Sequence, residues 1–285
     1  MSAVVERLCQ RWLPGGVPAG GLPGGPAVRL LPMSDDDVET HVHLTDGRTV
    51  HFQEWWVRLR ASVPATGFSQ VGVDVAKPAP GVLQALRDAD AVLLPPSNPV
   101  VSIGTVLGVP GVREALRDGG APVVGVSPIL GGKAVRGMAD ACLSAIGVET
   151  SALGVAGLYA DLLDSWLVDD DADGALHGTT VPGAAPGRGR VLARPLLMSS
   201  PQAAADLAGA ALSTPPWPPV AALARAQHDP PTGSPSVVMG VHHRAEFGSW
   251  RSVGLQGVGR RSIAKICAAA VARGAGGAGM WRGLA

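Results

Sequence analysis

Ala91-Val92-Leu93-Leu94-Pro95-Pro96-Ser97-Asn98-Pro99 is a short, wholly apolar strand pattern that runs into a turn built from proline, a hydroxyl and an amide. Pro122-Val123-Val124-Gly125-Val126-Ser127-Pro128-Ile129-Leu130-Gly131-Gly132-Lys133 repeats the arrangement further along. Strands apolar at every position are buried on both faces, as in a parallel sheet covered by helices. Polar turns at the strand ends mark the edge where such a sheet meets ligands, because backbone N–H groups and helix starts converge there.

Working outward, the pattern alternates. Strands are expected at 71–75, 91–94, 123–126, 165–168 and 191–197, with helices at 81–88, 111–118, 134–146, 151–162 and 201–212. This alternation predicts an α/β, Rossmann-like, mostly parallel three-layer sheet. Before it, 38–45 and 48–52 flank Asp46-Gly47, a hairpin signal, and 53–60 reads as a short helix carrying Trp55 and Trp56. Residues 2–13 have helical spacing, whereas 14–26 is a Gly/Pro run. Three units are expected: 1–65, a partial helical insertion plus hairpin; 66–213, the α/β domain; and 214–285, a Pro/Gly/Ala-rich tail without order.

Charge follows the same division. The chain of 285 residues has net charge zero, yet 1–220 carries −6 and 221–285 carries +6. The basic tail lacks the interleaved aromatics of a nucleic-acid binder. No apolar run approaches the roughly 18 residues that span a bilayer, and the first residues show no export leader. Cys9, Cys142 and Cys267 have no metal spacing. Three scattered thiols suit a reducing cytoplasm, and the expectation is a cytoplasmic protein without membrane or nucleic-acid partners.

Several residues carry chemistry. Pro99 stiffens the turn after the first strand, so that Ser97 and Asn98 face a phosphate or nucleobase edge; the same residues also make an ordinary Asx turn. Gly131, Gly132 and Lys133, read as a strand-to-helix turn, suit an anion cradle of backbone N–H groups plus one ammonium. Ser34-Asp35-Asp36-Asp37 offers adjacent carboxylates for Mg²⁺, or a solvated turn. Asp169-Asp170-Asp171 reads as a solvated turn. His41, His43 and His51 read as cross-strand packing. Trp55 and Trp56, about 100° apart on a helix, divide between core filling and stacking on a flat ring.

Taken together, His51-Phe52-Gln53-Glu54-Trp55-Trp56-Val57-Arg58, Pro96-Ser97-Asn98-Pro99-Val100-Val101-Ser102-Ile103-Gly104 and Gly132-Lys133-Ala134-Val135-Arg136-Gly137-Met138-Ala139-Asp140 resemble the 2-phospho-L-lactate transferases of coenzyme F-420 biosynthesis. The resemblance is to the actinobacterial branch, which uses a phosphoenolpyruvate-derived donor. Leu31-Pro32-Met33-Ser34-Asp35-Asp36 and Pro195-Leu196-Leu197-Met198 agree with it.

The resemblance implies that a ribityl hydroxyl of 7,8-didemethyl-8-hydroxy-5-deazariboflavin attacks the phosphorus of a guanylylated lactyl or enolpyruvyl phosphate, releasing GMP with Mg²⁺ as cofactor. It implies Ser97, Asn98 and Pro99 at the nucleotide or phosphate, with Gly131, Gly132 and Lys133 facing the donor. Asp35, Asp36, Trp55 and Trp56 line the substrate cleft, and a homodimer is expected. The family's opening strand with a Gly-Gly-x-Gly-Gly turn, and its later Asn-Val-Gly-Asp-Asp segment with metal-binding aspartates, have no counterpart here. The sequence therefore reads as lacking the family's N-terminal part, with no metal ligands assigned. Thr105 stands where the family tends to have proline. The competing reading is a non-catalytic regulator of the same fold that binds a nucleotide or nucleotide sugar.

Overall fold

The computed structural model of the chain describes residues 1–5, 28–135, 137–214, 236–243 and 263–270. In chain order, strands β1 (Val28–Pro32), β2 (Glu39–Leu44), β3 (Thr49–His51) and β4 (Ala65–Val71) precede helix α1 (Val82–Arg87) and β5 (Ala91–Leu94). Then come α2 (Gly104–Gly108), α3 (Val112–Arg117), β6 (Val123–Val126), the short strands β7 (Ile129–Leu130) and β8 (Lys133–Ala134), α4 (Ala139–Ala145) and α5 (Ala152–Gly157). The chain continues through β9 (Ser165–Asp169), α6 (Asp170–Asp173), β10 (Arg190–Arg194), α7 (Pro201–Leu212), β11 (Ser236–His243) and β12 (Ile263–Ala270).

Seven strands form one sheet in the order β1-β11-β12-β5-β6-β9-β10, and every adjacent pair is parallel. All carboxyl ends therefore lie on one rim. β5, β6 and β9 are buried throughout, as the unbroken apolar runs of β5 and β6 and the Trp166–Val168 centre of β9 require. Alternate side chains feed two cores. Val92, Leu94 and Val123 pack with Val82, Leu86, Val112 and Val155 on one face. Leu93, Val124 and Leu167 pack with Leu207, Ala211 and Leu212 of α7 on the other. The three layers expected from the alternation are present. Ser200 caps α7 by accepting a hydrogen bond from the Ala203 N–H at 3.1 Å, with Pro201 opening the helix.

A second, antiparallel sheet has the order β3-β2-β4. Asp46-Gly47 turns the β2–β3 hairpin, which places His41 opposite His51 with ring centroids 6.0 Å apart. This sheet does not float free. Val42, Leu44, Phe52 and Trp55 form a third core with Val101 and Cys142, which belong to the segment after β5 and to α4.

Two expectations change. The strand expected at 71–75 lies at 65–71 and pairs antiparallel with β2, followed by a single 3₁₀ turn at Val73–Val75. The helix expected from 134 starts at Ala139, because β7 and β8 fold back on each other first. β1, among Gly/Pro-rich neighbours, carries no strand signal in the sequence and yet is a strand of the main sheet. Within 214–285 the described stretches beyond Thr214 are β11 and β12, which pair parallel in the main sheet. Ser236-Val237-Val238-Met239-Gly240-Val241 is a β-branched run whose signal is diluted by the Pro, Gly and Ala around it. The rest of that segment beyond Thr214, and most of the helix expected at 2–13, lie outside the described residues.

Candidate functional site

The carboxyl rim gathers the polar turns. β1 leads into Ser34-Asp35-Asp36, β5 into Ser97-Asn98, β6 into Ser127, and β9 into Asp169-Asp170-Asp171.

Asn98 organises the second of these. Its Oδ1 accepts from the Val100 and Val101 N–H groups at 2.9 and 3.1 Å, capping a turn of π-helix over Pro99–Ile103 that continues as α2. Its Nδ2 donates to the Cys142 Sγ at 3.4 Å. The acceptor of Asn98 is thus spent on shaping the corner, so the Asx-turn reading describes it, and the Ser97 N–H donates to the Pro95 carbonyl at 2.7 Å, which leaves the Ser97 hydroxyl to face a ligand. Wide π turns interrupt helices mostly at functional positions. Here Gln70 at the end of β4 braces the turn. Its Nε2 donates to the Val100 carbonyl at 3.1 Å and to the Thr105 Oγ1 at 2.7 Å, and Thr105 donates onward to the Val101 carbonyl at 3.1 Å. Gly108 leaves room for this amide: a Cβ there would lie 3.2 Å from the Gln70 Oε1.

The glycine–lysine segment is a hairpin turn, not a strand-to-helix turn. Gly131 and Gly132 have φ of +55° and +75°, angles that glycine reaches without strain. The Gly131 N–H already donates to the Asp173 carboxylate at 3.0 Å. One amide of the expected cradle is therefore taken by the protein's own anion. Lys133 is exposed and pairs with no acid among the described residues. Ser127 is buried and closed on itself, its Oγ donating to the Ile129 carbonyl at 2.7 Å.

The acidic turns differ. Asp35 pairs with the Met1 amino group at 2.7 Å and accepts from Ser2, contacts that hold its carboxyl down to about 2. Asp36 accepts from the Lys77 N–H at 2.7 Å. Asp169 is buried, with one oxygen capping α6 through the Ala172 N–H and the other accepting from the Leu196 N–H. Asp170 and Asp171 are exposed, and one oxygen from each of the three lies within 4.8 Å of the others. The sequence reading assigned no metal ligands, but hard carboxylate oxygens of this kind suit Mg²⁺, which takes one or two carboxylates and completes its shell with water or phosphate.

Trp55 is wholly buried, its Nε1 donating to the Val63 carbonyl at 2.8 Å and its ring 5.9 Å from Phe68. It fills the core and cannot stack on a substrate. Trp56, half-buried and 5.5 Å from Phe52, keeps part of its ring at the surface.

Residues 24–180 match the 2-phospho-L-lactate transferase CofD family. The chain belongs to this family. Among CofD-family relatives, the phosphoenolpyruvate transferase of Thermobifida fusca is 57% identical over 217 residues, covering 74% of this chain and 60% of that protein. The phosphoenolpyruvate transferases of Streptomyces coelicolor and Mycolicibacterium smegmatis are 54% and 47% identical, covering 75% and 74% of this chain and 63% of each relative. The chain spans about three fifths of the length of these curated relatives. A crystal structure of a Bacillus halodurans protein is 19% identical with a TM-score of 0.43, covering 64% of this chain and 60% of that one. No helix among the described residues is long and apolar enough to cross a membrane.

Gln70 and Cys142 escaped the sequence reading. Nothing local marks them, since each acts on a segment about thirty to forty positions away in the chain. Burial pushes the Cys142 thiol up to about 11 from an ordinary 9.0, against the lowering effect of the Asn98 amide. A raised thiol favours the folded state fully below pH 9, and that contribution is lost as pH rises through 11. Iodoacetamide at pH 8 should alkylate Cys142 about a hundredfold more slowly in the folded chain than in urea. Mass spectrometry of the Cys142 peptide measures the ratio, and equal rates would show that the thiol is accessible.

Proposed function

We propose that the chain carries the donor-binding half of a transferase that moves a phosphoenolpyruvyl or phospholactyl group from a guanylylated donor to the ribityl hydroxyl of a deazaflavin, releasing GMP. The observation that supports this reading most is the match to phosphoenolpyruvate transferases across the stretch that builds the rim, 57% identical in one relative.

In-line transfer at phosphorus requires positioning and charge neutralisation more than covalent chemistry. The Ser97 hydroxyl, on the corner that Asn98 shapes, would meet the nucleotide's phosphates. Lys133, exposed on its hairpin turn, would neutralise the donor. The exposed face of Trp56 would take the flat ring of the acceptor. A magnesium ion, when bound, supplies charge neutralisation at the phosphates, and Asp170 and Asp171 are the residues that would hold it.

The test offers the chain the guanylylated donor, a nucleotide sugar, deazaflavin and Mg²⁺. Tryptophan fluorescence should report tighter binding of the guanylylated donor, and chromatography with mass detection should find GMP and the phosphodiester adduct in equal amounts. A preference for the nucleotide sugar without adduct would favour the regulator instead. Lys133→Ala should weaken donor binding about tenfold, the worth of one charge-assisted contact. Its melting temperature should not change, because Lys133 has no acidic partner among the described residues; unchanged affinity would remove Lys133 from the site.

A further inference from the structure

We propose that Gln70 is a positioning residue for the Asn98 corner: the small antiparallel sheet, through this one amide, sets the shape of the turn that meets the nucleotide. The inference rests on the nucleotide reading of that corner given above.

The π turn over Pro99–Ile103 leaves the Val100 carbonyl available to a side-chain donor, and Gln70 supplies it at 3.1 Å. The same Nε2 reaches the Thr105 hydroxyl, whose own proton goes to the Val101 carbonyl. Both hydrogens of one amide group are thus spent on consecutive turns of a single helix start. Thr105 is fully buried and its bond to the Val101 carbonyl with it, while the Gln70 bonds are partly buried; hydrogen bonds withdrawn from water are electrostatically stronger than in solvent. From the other side, Cys142 on α4 accepts from Asn98 itself. Phe52, Trp55, Val101 and Cys142 share one core, which makes the small sheet, the turn and α4 a continuous packed unit. Asn98 is therefore fixed from two elements outside the main sheet, and neither Gln70 nor Cys142 needs to touch the ligand. Nothing else along β4 calls for glutamine, since its strand bonds to β2 are made by the backbone.

Gln70→Ala and Thr105→Val both remove the bracket, and Thr105→Ser keeps the hydroxyl. Amide hydrogen exchange is measured on the full chain, together with the dissociation constant for GMP in Mg²⁺ and the melting temperature. In Gln70→Ala and Thr105→Val, exchange across 100–105 should accelerate at least tenfold while β9 keeps its protection, and GMP should bind about tenfold more weakly. Thr105→Ser should restore both. Unchanged exchange at 100–105 would overturn the inference. So would faster exchange with unaltered GMP affinity, the pattern of a bracket with a structural role only. If the unaltered chain binds no GMP while Gln70→Ala still loosens 100–105 selectively, the bracket stands and the nucleotide reading falls.

Discussion

Gly125→Ala should destabilise the protein by about 3 kcal/mol, a large part of the roughly 5–15 kcal/mol that holds a domain folded. Gly125 lies on β6 in register with Trp166 of β9. A Cβ at 125 would stand 2.5 and 2.6 Å from the Cζ3 and Cε3 atoms of that indole and 3.0 Å from the Leu163 Cδ2. Neither side can yield, because Trp166 is 1% exposed and both residues sit on central strands whose spacing is fixed by the sheet. Urea unfolding followed by far-ultraviolet circular dichroism measures the loss. Trp166→Leu should also be destabilising, by leaving a cavity. The double variant should lose clearly less than the sum, since the smaller side chain removes the clash. A midpoint for Gly125→Ala equal to that of the unaltered chain would mean that the two strands are not in this register.

Asp164→Ala should cost a similar amount, about 3 kcal/mol. The carboxylate is 12% exposed and accepts from the Arg188 Nε at 2.7 Å, the Arg188 Nη2 at 3.0 Å and the Val123 N–H at 2.8 Å. Arg188 also donates to the Leu162 carbonyl at 2.7 Å. Removing the acid strips a fork-like pair of bonds and leaves the Val123 N–H without that acceptor. Arg188 is a third exposed and regains water, so the loss stays at the low end for such pairs. These contacts lie where β6, β9 and β10 begin, opposite the rim that carries the candidate site. Asp164→Ala should therefore lower the urea midpoint while leaving GMP affinity intact at temperatures where the variant is folded. Weakened GMP binding in the folded variant would show that the two rims are coupled.

The sheet was legible because its information is local. β5 and β6 announce themselves as runs with no polar position, β9 by the apolar Trp166-Leu167-Val168 between Ser165 and Asp169, and α7 by Ser200-Pro201 at its start. The Asp46-Gly47 hairpin follows from turn chemistry, and helical geometry alone separates the faces of Trp55, which is buried, and Trp56, which is partly buried. Other features depend on distant partners. β4 has no clean alternation: one edge pairs with β2, and Gln70 at its end reaches the π turn. Gly131-Gly132 looks the same in sequence whether a helix or a strand follows, and only the two-residue pairing of β7 with β8 decides it. The site was legible as a set of turns but not as a mechanism. That Asn98 spends its acceptor on Val100 and Val101, and that Gly131 serves Asp173, emerge only when the chain is folded.

The uniform direction of the seven strands has a practical consequence. A dye, affinity handle or surface linkage placed beside Arg188 would sit at the end tied by the Arg188–Asp164 contacts and would point away from the mouth. If the proposed guanine-nucleotide binding holds, an immobilised sensor could be built on that geometry, with the partly buried Trp56 as its intrinsic reporter.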